Sequence, residues 1–185
     1  MRSAATCWAR SGVDMQGCPR GAAAVDIRPI DFSTNDLSEL SSILSERDAR
    51  RLVECRAAVD EGDTFILVAD RRGSPVGLAI VDVRSRPGMS ACADDEGMRY
   101  LQGDNAYLEN IEVRREWRRQ GIGSRLLEVV QQEALARGKR LLWLHADERN
   151  VSAHQFYERN GWVHEKTVYP AWVHGRPTRV YKKEL

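Results

Sequence analysis

The sequence predicts a mixed α/β domain, and three observations carry that reading. Along the chain, apolar positions switch between the two-residue period of half-buried strands and the 3.6-residue period of amphipathic helices, in the order β-α-α-β-β-β-α-β-α-β-β. The chain has 185 residues, 42% hydrophobic and 30% charged, a balance that suits one globular core. Its sequence contains no apolar run of bilayer-spanning length, no internal repeat and no low-complexity tract, which argues against transmembrane, collagen, coiled-coil and disordered classes.

Residues 1–24 are rich in Ala, Gly and Arg and have no apolar stretch of signal-peptide length, so a disordered tail is expected there, with the domain running from 25 to 185. VDIRPI reads as a short first strand that breaks at Pro29. From Thr34 to Asp63, Leu37, Leu40, Ile43 and Leu44, then Leu52, Val53 and Cys55, fall at helical spacing; two helices fit, with Ser33 or Thr34 capping the first. TFILVAD, the turn RRGSP and VGLAIVDV form a hairpin signal. A polar insertion from Arg84 to Asn105 follows, then a fourth strand, AYLENIEV, ending at Val113. The next helix carries the stripe Ile122, Leu126, Leu127, Val130 and Leu135 and stops at Gly138. RLLWLHA is a fifth strand, SAHQFYERN a short helix closed by Gly161, and KTVYPAWV with TRVYKKEL a final hairpin.

The formal net charge is +1, which does not favour a nucleic-acid binder relying on bulk positive charge. The neutrality hides an asymmetry. Up to Glu112 there are 13 Lys plus Arg against 19 Asp plus Glu, and from Val113 onward 15 against 8. Four cysteines without a Cys-x-x-Cys pair read as reduced thiols of a cytoplasmic protein. The four histidines form no ligand-spaced cluster, so no metal is expected.

The most informative stretch is Arg118-Arg119-Gln120-Gly121-Ile122-Gly123, between a strand and a strong helix. The first turn of a helix exposes unpaired N–H groups at the positive end of the macrodipole, a ready anion site. Gly121 and Gly123 remove side chains that would hold a phosphate off the backbone, and the neighbouring arginines add charged donors. A P-loop is ruled out by the absence of Lys-Ser/Thr in register, and a Rossmann fingerprint by Leu126 at its third glycine.

Arg118, Gly121 and Gly123 match the Arg/Gln-x-x-Gly-x-Gly/Ala signature of the GNAT family of N-acetyltransferases. The strand LENIEV before it, and Asn150, Phe156, Tyr157, Glu158, Gly161 and Trp162 after it, also resemble that family's pattern. The resemblance runs from Val25 to Leu185 and is weakest in the two N-terminal helices. It implies the acyl-CoA N-acyltransferase fold: a mostly antiparallel mixed sheet, about four helices, and a splay between strands four and five. It further implies an enzyme that transfers the acetyl group of acetyl-CoA to an amine in a ternary complex. The CoA pyrophosphate would lie on the N–H groups of Arg119, Gln120, Gly121, Ile122, Gly123 and Ser124. The pantetheine arm would run along Ile111 and Val113, with Asn150 near it.

Acetyl transfer needs a base to deprotonate the acceptor ammonium and an acid for the departing thiolate. Tyr157, two helical turns after Asn150, is the expected acid. Glu109 leads as the base, because strict alternation would place it on the face of Ile111 and Val113, among apolar neighbours. Glu112, His145, His154 and water are the alternatives, and Glu112, Tyr169 and Trp172 are expected to contact the acceptor. The acceptor expected from the charge asymmetry is a small cationic amine, drawn to the acidic half, which includes Asp94, Asp95 and Glu96. A peptide or protein amine, a catalytically silent acyl-CoA-binding module and a nucleic-acid module built on the arginine turn are the competing readings. Many relatives dimerise, and a homodimer fits the resemblance.

Overall fold

The computed structural model describes residues 25–33, 36–84, 103–170 and 174–185. The expected tail, most of the polar insertion with Asp94, Asp95 and Glu96, the candidate cap Thr34 and Trp172 lie outside the described residues, while the other candidate cap, Ser33, donates from its N–H and Oγ to Asp31 Oδ1 at 2.8 and 2.6 Å. The elements appear in the predicted order: β1 (Asp26–Pro29), α1 (Asp36–Ser41), α2 (Glu46–Asp60), β2 (Thr64–Arg71), β3 (Ser74–Asp82), β4 (Asn105–Val113), α3 (Ile122–Ala136), β5 (Leu141–Asp147), α4 (Val151–Arg159), β6 (Val163–Val168) and β7 (Thr178–Glu184). A single 3₁₀ turn, Arg115–Trp117, joins β4 to the loop before α3.

One seven-stranded sheet has the order β1-β2-β3-β4-β5-β7-β6, antiparallel except between β4 and β5. Alternation along β2 divides its side chains between two cores. Phe65, Leu67 and Ala69 join Ile122, Leu126, Leu127, Val130 and Ala134 of α3, whereas Ile66 and Val68 meet Leu40 of α1 and Leu52 and Cys55 of α2. At about 1.5–3 kcal/mol for each fully buried large aliphatic side chain, these layers supply the main driving force. Two stripe assignments are corrected: Leu135 and Val53 are exposed, and Ala134 fills the buried place on α3. Ala134 stands four residues after Val130 and seven after Leu127, so it continues their row, and Leu135 is rotated out of it. The last hairpin also begins earlier than expected, with β6 ending before Tyr169.

Two irregularities shape the centre of the sheet. β4 and β5 pair only through Asn105–Leu141, Ala106–Leu142 and Tyr107–Trp143. Beyond Tyr107 the strands separate, while β4 stays paired with β3 as far as Val113 and β5 with β7 as far as Asp147. Parallel strands joined by a crossover helix ordinarily pair along their length, so the gap is a built feature. The second irregularity is a bulge in β4: Ile80 pairs with Asn110 and Val81 with Leu108, which leaves Glu109 as the extra residue.

Candidate active site

The helix start expected to take an anion is that of α3. Gly121 is its N-cap at φ +81°, no side chain caps the helix, and no acidic residue lies in its first turn. The first ladder bond runs from the Arg125 N–H to the Gly121 carbonyl at 3.0 Å, so the N–H groups of Ile122, Gly123 and Ser124 have no helical partner. Arg119, just before, holds φ +64°, a conformation that costs a non-glycine residue about 1 kcal/mol. The two glycines have different tasks. A Cβ on Gly121 would meet nothing within 4 Å, and its constraint is the positive φ. A Cβ on Gly123 would come within 3.1 and 3.2 Å of the Phe156 ring, so this glycine lets α3 pack against α4. Arg118 turns back to brace the loop, its Nε donating to the Val113 carbonyl at 2.9 Å and its Nη2 to Glu112 Oε1 at 2.5 Å. Gln120 donates to the Glu116 carbonyl at 3.3 Å.

Ile111 and Val113 pack against the α3 core and belong to the part of β4 that has left β5. Across the gap α4 brings Tyr157, whose ring lies between those of Phe156, Tyr181 and Trp162 at centroid distances of 5.3, 5.8 and 5.9 Å. Burial, with Glu112 and Tyr181 adding to it, pushes the Tyr157 phenol well above its ordinary range. No hydrogen bond engages its hydroxyl among the described residues. Asn150 is the N-cap of α4, accepting from the Ala153 N–H at 3.1 Å and from Ser152 Oγ at 2.9 Å; its Oδ1 is thus committed to the helix.

The surroundings of the expected base depart from expectation. The bulge removes Glu109 from the face of Ile111 and Val113 and turns it to α2, where Arg51 donates through Nε and Nη2 to its two oxygens at 2.9 and 2.8 Å. The apolar surroundings foreseen for Glu109 are replaced by an ion pair. Strict alternation fails because an inserted residue shifts the phase of everything before it relative to everything after it. Nearby, the buried Asp82 is gripped by Arg84, and Cys55 has its thiol pushed up to about 11 by burial. Asn110 Oδ1 is buried and has no hydrogen-bond partner among the described residues. Glu109 and Asp82 are thus paired with arginines of the acidic half, Arg51 and Arg84, and Glu112 with Arg118 of the basic half. Tyr169 is 70% exposed and stands just past β6. Arg51→Ala should lower stability by about 2–3 kcal/mol, less than a fully buried pair would lose, because Glu109 would be left without its partner. Denaturant melts of the variant check this, and a change under about 0.5 kcal/mol would contradict it.

The histidines separate into two roles. His154 is buried, its Nε2 3.0 Å from the Glu148 carbonyl and its Nδ1 3.1 Å from the Tyr181 hydroxyl, and is structural. His145 lies on β5 two residues beyond the last β4–β5 pair, with Nδ1 2.9 Å from the hydroxyl of Tyr107, the last paired residue of β4. Sequence reading missed Tyr107 and Arg51. No local signal marked Tyr107, whose role follows from where the β4–β5 pairing stops, whereas Arg51 stands beside Leu52 on the helix face that also carries Cys55.

Residues 29–162 match the model of the acetyltransferase (GNAT) family. The chain belongs to the GNAT family. Among curated relatives of this GNAT chain, N-alpha-acetyltransferase 60 of Xenopus tropicalis is 31% identical over 111 residues, covering 57% of this chain and 46% of that protein. Thialysine N-epsilon-acetyltransferase of Bos taurus is 34% identical over 89 residues, covering 44% and 52%. The chain therefore spans about half the length of the curated relatives it matches. Among solved structures, a GNAT-family acetyltransferase of Desulfovibrio desulfuricans has a TM-score of 0.66 at 19% identity, covering 87% of this chain and 99% of its own. An acetyltransferase of Bacillus subtilis in complex with CoA has a TM-score of 0.65 at 10% identity, covering 88% and 99%. The GNAT fold is thereby shown, splay included.

The residues of this GNAT domain fit an acyl-CoA. An uncapped helix start with three unpartnered N–H groups and no acidic side chain suits a diphosphate. The strand edge opened beyond Tyr107 suits an amide-bearing arm that pairs in the manner of a strand.

Proposed function

We propose that this GNAT domain is an acetyl-CoA-dependent N-acetyltransferase acting on a primary amine, and that a small cationic amine is its acceptor. The observation that carries the reading is the β4–β5 gap, which runs toward the uncapped start of α3 and is faced by a buried tyrosine with an unengaged hydroxyl. Acetyl-CoA supplies the thioester acyl group. The N–H groups from Arg119 to Ser124 would hold its diphosphate, Ile111 and Val113 its pantetheine arm, and Asn150 would border that arm through its amide nitrogen. Tyr157, kept neutral by burial, would give its proton to the departing thiolate sulfur.

The base role passes from Glu109 to His145. Glu109 gives both oxygens to Arg51, whereas His145 stands at the apex of the splay. In the tautomer that donates Nδ1–H to the Tyr107 oxygen, 2.9 Å away, Nε2 is the basic atom, and it would take the acceptor's ammonium proton directly or through a water. His145→Ala is expected to abolish the acid limb of the kcat/KM profile against pH, and Glu109→Gln to preserve it. The opposite pattern would return the base role to Glu109.

Support for the small cationic acceptor comes from the acidic N-terminal half and from the thialysine-acetylating relative. A peptide N-terminus is the second reading, favoured by the N-alpha-acetyltransferase relative. CoA release from acetyl-CoA, followed with spermidine, kanamycin, free amino acids and short peptides with free N-termini, discriminates among them. Turnover confined to peptides would replace the small-amine reading. Tight acetyl-CoA binding with no turnover of any acceptor would leave only a binding module.

A further inference from the structure

We propose that Tyr181 is a positioning residue for Tyr157, tying the turn of α4 that carries the acid to β7; this rests on the acid role of Tyr157 given above. No described residue hydrogen-bonds the Tyr157 hydroxyl, so the direction of the phenol is set by the rings around it. Two of these, Phe156 and Trp162, belong to α4 and the turn that ends it, and they move with Tyr157. Among the described residues only Tyr181 comes from a separate element, and it is the largest fully buried side chain among them.

Tyr181 is also anchored by its polar end. Its hydroxyl proton points to Glu158 Oε1 at 3.2 Å and is shared with His154 Nδ1, 3.1 Å away. His154 precedes Tyr157 by three residues and Glu158 follows it by one, so the contacts bracket the acid on a single helical turn. His154 is in turn held by the Glu148 carbonyl, and Glu148 by Arg179, which donates to its Oε1 at 2.9 and 2.6 Å. The tie thus closes a loop from β7 through the β5–α4 connection to α4. A ring anchored only by packing can slide along its neighbour, whereas a hydrogen-bonded one holds a fixed position. Misplacing an acid by a fraction of an ångström costs rate without weakening cofactor binding.

Tyr181→Phe keeps the ring and cuts the tie. It is expected to lower kcat about tenfold with the KM for acetyl-CoA within about twofold, measured with whichever of spermidine, kanamycin or a free-amine peptide is turned over fastest. In a Tyr157→Phe background the same substitution should have no further effect on kcat. Glu158→Ala, at an exposed position that leaves folding intact, should reproduce part of the loss, and Glu158→Gln should restore it. In the free protein, NMR of labelled tyrosine rings should show slow flipping of Tyr157 in the wild type and averaged signals in Tyr181→Phe. Full kcat in Tyr181→Phe, a further loss in the double variant, or unchanged ring flipping would overturn the proposal while leaving the acid role standing. Full turnover in Tyr157→Phe would instead remove the acid role, and the positioning proposal with it.

Discussion

Tyr157→Phe is expected to lower kcat by about 10²- to 10³-fold while leaving the Kd for acetyl-CoA within about twofold. The substitution deletes one oxygen from a ring held among Phe156, Trp162 and Tyr181, so the packing survives. It leaves no buried partner unsatisfied, because no described residue hydrogen-bonds that hydroxyl. A kcat effect with constant affinity therefore isolates the proton. Because burial raises the phenol well above its ordinary value, Tyr157 stays protonated throughout the neutral range and beyond. The sign follows: the variant's plateau falls, but no limb of the pH profile moves below about pH 10. An unaltered kcat would take Tyr157 out of the acid role, and a lost alkaline limb at pH 8–9 would mean that its proton is held more weakly than burial implies.

Gly121→Val is expected to eliminate measurable acetyl-CoA binding, a loss of at least about 10²-fold in Kd. The residue sits at φ +81° with open space where a Cβ would go, so the damage comes from the backbone. A β-branched side chain in that region is a severe outlier, and the chain would relieve it by rotating the peptide groups that open α3. Those groups carry the N–H donors proposed to hold the diphosphate, so a local rearrangement would remove several charge-assisted bonds together. The core of α3 begins at the next residue, Ile122, and Leu126, Leu127 and Val130 remain buried, so thermal unfolding should shift by only a few degrees. Calorimetric titration with acetyl-CoA checks the binding, and an affinity within threefold of wild type would place the diphosphate elsewhere. Gly123 differs in kind: even an added methyl would press on Phe156, and through it on the neighbouring ring of Tyr157.

The contrast between Gly121 and Glu109 shows what kind of information a sequence holds. Gly121, Gly123 and Arg118 are neighbours in the chain, and the requirements on them arise within a few residues: a left-handed N-cap and a helix start without a side-chain cap. Such constraints are local, so they are legible in order and spacing. The alternating strands, the stripe of α3 and the order of the elements were legible for the same reason, since each depends on the period of a single segment. Glu109 illustrates the opposite. Its residue type and strand were readable, but the bulge that reorients it depends on register with Val81 and Ile80, and its partner Arg51 lies 58 residues away on another element.

The sequence by itself determined a mixed α/β domain, the helix start suited to a diphosphate, and the tyrosine on the short helix after β5, because each follows from periodicity or from backbone requirements within one turn. Only the tertiary structure decided that β4 and β5 part after Tyr107, that Glu109 faces Arg51, that His145 meets Tyr107, and that Tyr181 holds the turn bearing Tyr157. Those pairings join residues far apart in the chain, and a strand slipped or bulged by one position exchanges every side chain between its two faces. No local pattern records that choice; it is made by how β3, α2 and β7 pack around β4 and α4.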